Sequence, residues 1–525
     1  MKDIFNFLPQ SIEAFLITTS DEFLGEYTPS HAKRLEFLTG FTGSTAFALI
    51  FKNSNKNLLF IDGRYVIQAQ MECGQKFEIL DVSTLITHLK KINFALDGKF
   101  YSYQFIQDLK AKGLNFEIVD NCPIDKIWQR EINVSRETSN FELAGDSKEE
   151  KIIKSLKYIE ECEADALFIS DPHDVCYLLN IRGRYLDYSP VVPFFAIVSR
   201  ETQKLVSPSE VQNLKYGKIL LQLSAPYSIF LELSKQNEII FEKQNFIQNQ
   251  KIIKTEFEIE CIKKAHAQDG KAIKEFANWL KKAKLENETE FTLGEKLLEF
   301  RKKQTGFVME SFAPIVGFKE NGAIVHYKAK KESAKQIKGN GLLLVDSGGQ
   351  YYHKTEKICG TTDITRVFMV GENANEEEKR AYTLVLKGHI SLCMAVFPFG
   401  TTGAELDILA RQFLWKEGLT YNHGTGHGVG YFLSVHEKPC SISKHSNTPL
   451  QAGMILSNEP GYYKEGFFGV RFENLILVKK SKLEGFLEFE VLTKAHIETK
   501  LLDYEILTDD EVSWLTSYSN NINLL

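Results

Sequence analysis

From Thr255 onward the chain places Ile259, Ile262, Ala265, Ile273, Phe276 and Leu280 at the intervals of one helix face, and Thr255 with Glu258 fits the capping box that would start such a helix. A second stretch opens at Asn375. There Glu376, Glu377 and Glu378 suit the positive end of a helix dipole, and Ala381, Leu384, Val385, Leu392 and Val396 recur at helical spacing. Each stretch is followed by two apolar runs that read as buried strands: GLLLVDSG and TTDITRVFMV after the first, GMILSNEPG and VRFENLILV after the second. The pattern predicts an α+β unit present in two diverged copies. Thr508 and Glu511 form another capping box before Val512, Trp514 and Leu515, and the polar tail SNNINLL is expected to fray.

A fainter repeat precedes these. EAFLITTSD followed by FLTGFTGSTAFALIF matches, feature by feature, ADALFISD followed by LLNIRGRYLDYSPVVPFFAIV, with Asp21 and Asp171 lying 150 residues apart. Two related α/β domains are the simplest reading. A length of 525 residues fits about three domains at ~100–200 residues each. The polar segment Ser135 to Lys151 and the segment KQNFIQNQKIIKT supply junctions, giving expected domains of 1–145, 146–250 and 251–525. His173, in SDPHDV, reads as a loop histidine in the second of these.

The duplicated C-terminal part carries the chemistry. Asp346 and Asp363 belong to the first pair of strands and Glu459 and Glu473 to the second, with His326 upstream of one pair and His436 upstream of the other. The intervals from histidine to acid to acid are 20 and 17 residues, then 23 and 14, alike without being equal. Just before the second set lies HGTGHGVG, in which His423 and His427 are separated by three small residues.

An aspartate followed by serine and glycine after a strand ordinarily starts a turn. Four carboxylates on strands that otherwise read as buried are different, because ionised groups are rarely buried without partners or metal. Arg366 and Arg471 are near in sequence, and Arg471 and Glu473, two apart on one strand, would share a face. Two arginines do not neutralise four acids. Two divalent cations would, with His427 as one neutral ligand. An oxygen-rich set with a single imidazole suits Mn2+, with Co2+ or Zn2+ as substitutes. Two such ions, typically ~3.5–4 Å apart, can share a hydroxide and polarise the bond it attacks, which is hydrolytic chemistry on an acyl or phosphoryl group. No GxxxxGKS/T loop is present and a net charge of −6 leaves no footprint for nucleic acid, so an amide substrate is favoured. The histidines would then stabilise the oxyanion or pass a proton to the departing nitrogen.

The set Asp346, Asp363, His427, Glu459 and Glu473 resembles the five-ligand signature of the pita-bread metallopeptidases. The strings GTTDITR, LKGHI, VHEKP, NEPGYY and RFEN, with GFTGS and DGRY early and FEVLTKAHIETKLLD and LTDDEVSWL late, are similar to the cytosolic type of aminopeptidase P over essentially the whole chain. The resemblance implies a C-terminal pita-bread domain with an internal pseudo-two-fold repeat, preceded by two related α/β domains. It also implies cleavage of the bond between an N-terminal residue and a penultimate proline, two Mn2+ per subunit held by the five residues, and a homodimer. By the same resemblance His326, His436 and Glu459 are catalytic, and Arg64, His326, His423, His436 and Arg471 contact or orient the peptide. Prolidase, which cuts Xaa-Pro dipeptides with the same metals, is the alternative enzyme, and a pita-bread binding module without activity is the alternative of another class.

One stretch departs from the family. Between Asp346 and Asp363 the usual DSGxQYxDGTTD is longer by six residues and lacks its second-to-last aspartate, reading DSGGQYYHKTEKICGTTD. A longer hairpin loop is expected there, with His353 and Cys359 incidental. Eight scattered cysteines without CxxC pairs suit a reducing compartment. No secretory segment is visible at MKDIFNFLPQ and no apolar run approaches the ~18 residues of a membrane span, so a cytoplasmic location is expected. The basic run Lys328 to Gly339 reads as a solvated loop.

Overall fold

The computed structural model describes residues 1–54 and 56–523. The chain divides into two compact units, one of Met1–Phe141 with Asp146–Ile247, the other of Glu142–Gly145 with the chain from Gln248 onward.

The first unit contains two sheets built to one plan. In each, a central strand (Ala14–Thr18 or Ala166–Ile169) pairs antiparallel with a later strand (Phe47–Phe51 or Phe195–Ser199) and parallel with a third (Phe94–Asp97 or Lys218–Leu221). The order of features seen in the sequence repeat is therefore the order of pairing. Asp171 caps the Pro172–Leu179 helix, and His173 lies in its first turn rather than in a loop. The Asp-Pro step explains the difference, since aspartate accepts from the free N–H groups of a first turn and proline is at home there. The His173 ring is held by Asp171 Oδ1 at 3.0 Å and Ser189 Oγ at 3.1 Å.

The second unit repeats a helix and a sheet. The Glu256–Leu280 helix starts at Thr255 through the reciprocal box with Glu258, and the Glu376–Cys393 helix at Asn375 through the box with Glu378. Val396 does not continue the second helix. The helix has already ended at Cys393, and Val396, about half exposed, opens the short strand Val396–Pro398.

In the first half, Gly341–Ser347 is the middle strand, antiparallel to Ile315–Phe318 and to Ile364–Val370. Its unbroken apolar run has a simple cause, since both faces are covered. Leu342 and Leu344 pack with Ala381, Leu384 and Val385 of one helix, while Leu343 and Val345 pack with Ile273 and Phe276 of the other. In the second half, Ile455–Asn458 is flanked by Asn474–Lys480 and Gly426–Gly428.

The duplication extends further than the sequence suggested. Between its two acids each half carries a hairpin, Gly349–His353 with Ile358–Thr361 in the first and Gly461–Lys464 with Phe468–Arg471 in the second. The expected hairpin is present, and the six additional residues lengthen its paired strands, the turn being confined to 354–357. Cys359 is buried in one of them, and the His353 ring accepts the Glu356 N–H at 3.2 Å. The tail also differs from expectation. The Asp509–Asn523 helix includes most of it, anchored by the buried Ile522, while Leu524 and Leu525 lie outside the described residues. Among the described residues no helix is long and apolar enough to cross a membrane.

Candidate metal centre

The four acids converge because each sits where a central strand ends or its partner begins. Asp346 is directly opposite Thr365 in the first sheet, one residue from the strand start that follows Asp363, and Asn458 is opposite Asn474 in the second, so that Glu459 and Glu473 flank that pair. Glu473 N–H donates to Thr365 O at 3.2 Å, which joins the two sheets at the site. Atoms of Asp363, His427 and Glu473 lie within 4.8 Å of one another, in the arrangement of a cation site.

His427 enters from the short strand Gly426–Gly428. Its Nδ1 is 3.0 Å from Gly428 O, an atom that can only accept, so Nδ1 carries a hydrogen, and Nε2 faces Asp363 Oδ2 at 3.5 Å and Glu459 Oε1 at 3.4 Å. Nε2 is thus the nitrogen a metal would take, with Nδ1 held by its own bond. Ser457 links the same residues, its Oγ accepting from His427 N–H at 2.9 Å and donating to Glu459 Oε1 at 3.2 Å.

The electrostatics point the same way. Burial, then the charges of Asp346 and Glu459, push Asp363 well above the usual carboxylate range. Burial, then Asp363, Asp346 and Glu459, do the same to Glu473. Asp346 is raised by burial against the pull of Arg471, whereas Glu459, half-buried and opposed by its own desolvation, is held below its usual value by His427, His423, Arg471 and His436. Oδ1 of Asp346 and Oδ1 of Asp363 are both buried without a hydrogen-bond partner. A divalent cation would supply the missing partner and the compensating charge together, so the donor set fits the metal ions expected of it.

Arginine does not take that role. Arg366 gives its donors to the carbonyls of Thr365, Glu473, Ala495 and His496 and to Asn474 and Tyr518, and to none of the four acids. Arg471, at 2% exposure, donates to Asp346 Oδ2 at 2.6 Å. It does not share a strand with Glu473, since one strand ends at Arg471 and the next begins at Asn474. Thr365 connects them, its hydroxyl accepting from Arg471 Nε at 3.2 Å and donating to Glu473 Oε2 at 2.8 Å.

The remaining histidines surround this core. The His436 ring stands 4.3 Å from that of His427, edge to face. His326 lies in the turn after the 3-10 helix Lys319–Ala323, next to Val325, whose carbonyl meets Arg471 Nη2 at 3.5 Å. His423 Nδ1 bonds Gly424 O at 2.7 Å, which leaves Nε2 to accept from Tyr463 Oη at 2.9 Å, and Tyr463 Oη accepts from Arg471 Nη1 at 2.7 Å. Burial lowers His423 to about 4, so it is neutral at physiological pH. Arg64 belongs to the first unit, where Asp62 binds its guanidinium through two bonds of 2.9 and 2.8 Å.

Sequence reasoning missed several members of the site. Tyr463 and Thr365 lie within NEPGYY and GTTDITR, but nothing local distinguishes them. The ion pair of Lys254 with Glu437, buried and next to His436, was equally invisible. A different signal was available for Asp269 and His389. Each is a polar residue on the apolar stripe of its helix and is fully buried, Asp269 against Arg301, Tyr351 and Thr362.

Comparison with known proteins places this architecture. Residues 260–480 match metallopeptidase family M24, residues 9–127 and 134–213 match creatinase/prolidase N-terminal domains, and residues 485–524 match the C-terminal region of peptidase M24. Fold and site therefore define a pita-bread metallopeptidase with an α+β catalytic part. A probable Xaa-Pro aminopeptidase P of Laccaria bicolor is 34% identical over 97% of this chain and 87% of its own length, and Xaa-Pro aminopeptidase 1 of Dictyostelium discoideum 33% over 98% and 90%. The chain belongs to the aminopeptidase P family of these metallopeptidases. The crystal structure of X-prolyl aminopeptidase from Caenorhabditis elegans, described as a cytosolic enzyme with a di-nuclear active site, superposes with a TM-score of 0.88 at 27% identity, covering 97% of this chain and 91% of that one. Prolidase from Pyrococcus furiosus matches 65% of this chain and 99% of its own with a TM-score of 0.52 at 27% identity.

Proposed function

We propose that this protein is a metal-dependent aminopeptidase that hydrolyses the bond between an N-terminal residue and a penultimate proline. The observation that carries the reading is the cluster of Asp363, His427 and Glu473, with Asp346 and Glu459 beside it, in which burial and mutual repulsion push Asp363 and Glu473 well above the usual carboxylate range, within a chain similar along its length to Xaa-Pro aminopeptidases. Two Mn2+ are the preferred occupants, on the strength of four carboxylates and one imidazole. When bound they would supply a nucleophile at neutral pH and polarise the scissile carbonyl.

The chain's own residues do the rest. Glu459 and Glu473 would hold the ions from the second half, Asp346 and Asp363 from the first, and Arg471 steadies Asp346 while Thr365 steadies Glu473. His436, beside His427, is placed to donate to the developing oxyanion or the leaving nitrogen, and His326 assists from the turn near Arg471. His423, neutral and fixed by Tyr463, lines the pocket, and Arg64 is assigned a peptide contact on the family resemblance alone. Proline calls for a dedicated site because its nitrogen has no hydrogen to donate and its φ is fixed near −65°. A homodimer in the cytoplasm, binding neither nucleic acid nor membrane, completes the proposal.

The test is a digestion panel. Xaa-Pro-Yaa, Xaa-Ala-Yaa and Xaa-Pro peptides are incubated with enzyme after chelation and after Mn2+ is restored. Mn2+-dependent release of Xaa from Xaa-Pro-Yaa alone is expected. Cleavage confined to the dipeptide would make the protein a prolidase, and no cleavage with no metal bound would leave a binding module.

A further inference from the structure

The Glu376–Cys393 helix directs one imidazole at the backs of both glutamates. His389 is 1% exposed. Its Nδ1 lies 3.1 Å from Asn458 O, and its Nε2 lies 2.9 Å from Asn474 Nδ2. A carbonyl only accepts, so Nδ1 carries the hydrogen and Nε2 accepts from the Asn474 amide. The amide orientation agrees, because Asn474 Oδ1 already accepts from Arg366 Nη2 at 2.8 Å. The Asn458 amide returns to the helix, donating to His389 O at 2.9 Å and to Cys393 Sγ at 3.2 Å. Burial, and then Arg366, lower the ring to about 3, so it stays neutral and its two bonds keep their directions.

What the ring grips matters more than how it is gripped. Asn458 and Asn474 are directly opposed on neighbouring strands, Glu459 follows the first and Glu473 precedes the second. The Asn458 carbonyl belongs to the same peptide plane as the Glu459 nitrogen, whose hydrogen is taken by Thr425 O at 2.7 Å. That plane is therefore held on both edges, and the ring is one of the two holders. The opposite half shows the same device with different chemistry, since Asp269, from the other helix, accepts from Thr362 Oγ1 at 2.7 Å immediately before Asp363.

We infer that His389 is a positioning residue for the metal centre, which fixes Glu459 and Glu473 relative to each other by bridging Asn458 O and the Asn474 amide. The inference rests on the reading of those glutamates as metal ligands. Residues that orient ligands from behind typically change metal affinity or activity by ~10–100-fold when removed, and His389, one step further back, belongs at the lower end of that range.

Three full-length variants test it. His389→Leu removes both bonds, His389→Asn keeps an amide donor near the position of Nδ1, and His389→Gln keeps an acceptor near that of Nε2. Each is stripped with chelator, titrated with Mn2+ alone, and assayed on a Xaa-Pro-Yaa peptide. For His389→Leu the expected result is Mn2+ affinity and kcat each down about tenfold with KM nearly unchanged, and His389→Asn and His389→Gln should recover part of both. A lower melting temperature with unaltered Mn2+ affinity and kcat in the folded variants would make His389 a packing residue and overturn the inference. If His389→Leu does not fold, the two amide variants decide by the same criteria. The functional reading fails separately, when the wild-type chain itself binds no Mn2+ or Glu473→Gln binds it as wild type does.

Discussion

Asp269→Leu offers the sharpest test of how the centre is supported. Asp269 and Arg301 are both completely buried, joined by bonds of 2.7 and 3.3 Å, and the same carboxylate accepts from Tyr351 Oη at 2.9 Å and Thr362 Oγ1 at 2.7 Å. Leucine keeps the branched heavy-atom outline, though with bulkier methyl groups, and leaves a guanidinium buried without its counter-charge, which costs about 3–5 kcal/mol. Two hydroxyls also lose an acceptor, at roughly 1 kcal/mol or more each, although the terms do not simply add. A total near ~5 kcal/mol is a large part of the ~5–15 kcal/mol that stabilises a typical domain, and corresponds to a melting temperature lower by about 10–20 °C.

The assay is thermal and denaturant unfolding followed by tryptophan fluorescence, Trp279 being on the same helix as Asp269. The double variant Asp269→Leu with Arg301→Met removes both charges and should regain most of the loss. A double variant no more stable than the single one, or a single variant within ~1 kcal/mol of wild type, refutes the charge argument. There is also an acid limb. Although burial opposes it, Arg301, Thr362 and Tyr351 hold the Asp269 carboxyl below its usual value. Its contribution is therefore present above the unfolded-state pKa and is lost as the pH falls through the folded one, so wild type and variant should converge in strong acid.

Three further outcomes are expected. Glu459→Gln should abolish turnover of Xaa-Pro-Yaa peptides while circular dichroism and melting stay close to wild type; an ordinary rate would remove Glu459 from the centre. His436→Ala should lower kcat by ~10² or more, as for a group that donates to the oxyanion or leaving nitrogen, and an unchanged kcat would leave it a structural role only. In the first unit, burial and the neighbouring Asp174 raise Glu242 to about 7. Its folded form thus favours the neutral acid, and its contribution is present below the unfolded pKa and lost as the pH rises through about 7. Glu242→Gln should accordingly be more stable than wild type at pH ~8, by about 1–3 kcal/mol, and a parallel pH profile for the two would contradict this.

Much of this protein was legible along the chain because the relevant signals are local. Helix starts at Thr255 and Asn375 depend on two side chains three residues apart, and the apolar run before Asp346 states that both faces of its strand are covered. The five proposed ligands stood out because carboxylates at the ends of such strands contradict their surroundings. Local signals also misled. Val396 kept helical spacing after the helix had ended, and Arg471 seemed to share a strand with Glu473 because periodicity carries no mark of the break at Phe472.

By itself, then, the sequence determined where buried strands and helices form, that acids sit among them in duplicate, and to which family such an arrangement belongs. The tertiary structure alone decided the partners: Arg471 with Asp346 across 125 residues of chain, Thr365 between Arg471 and Glu473, and His389 behind Asn458 and Asn474. The reason is physical. Periodicity records which face of an element is buried, whereas hydrogen-bond and charge partners are selected by the packing of elements distant in sequence, and packing leaves its trace in the chain only as an occasional polar residue on an apolar face.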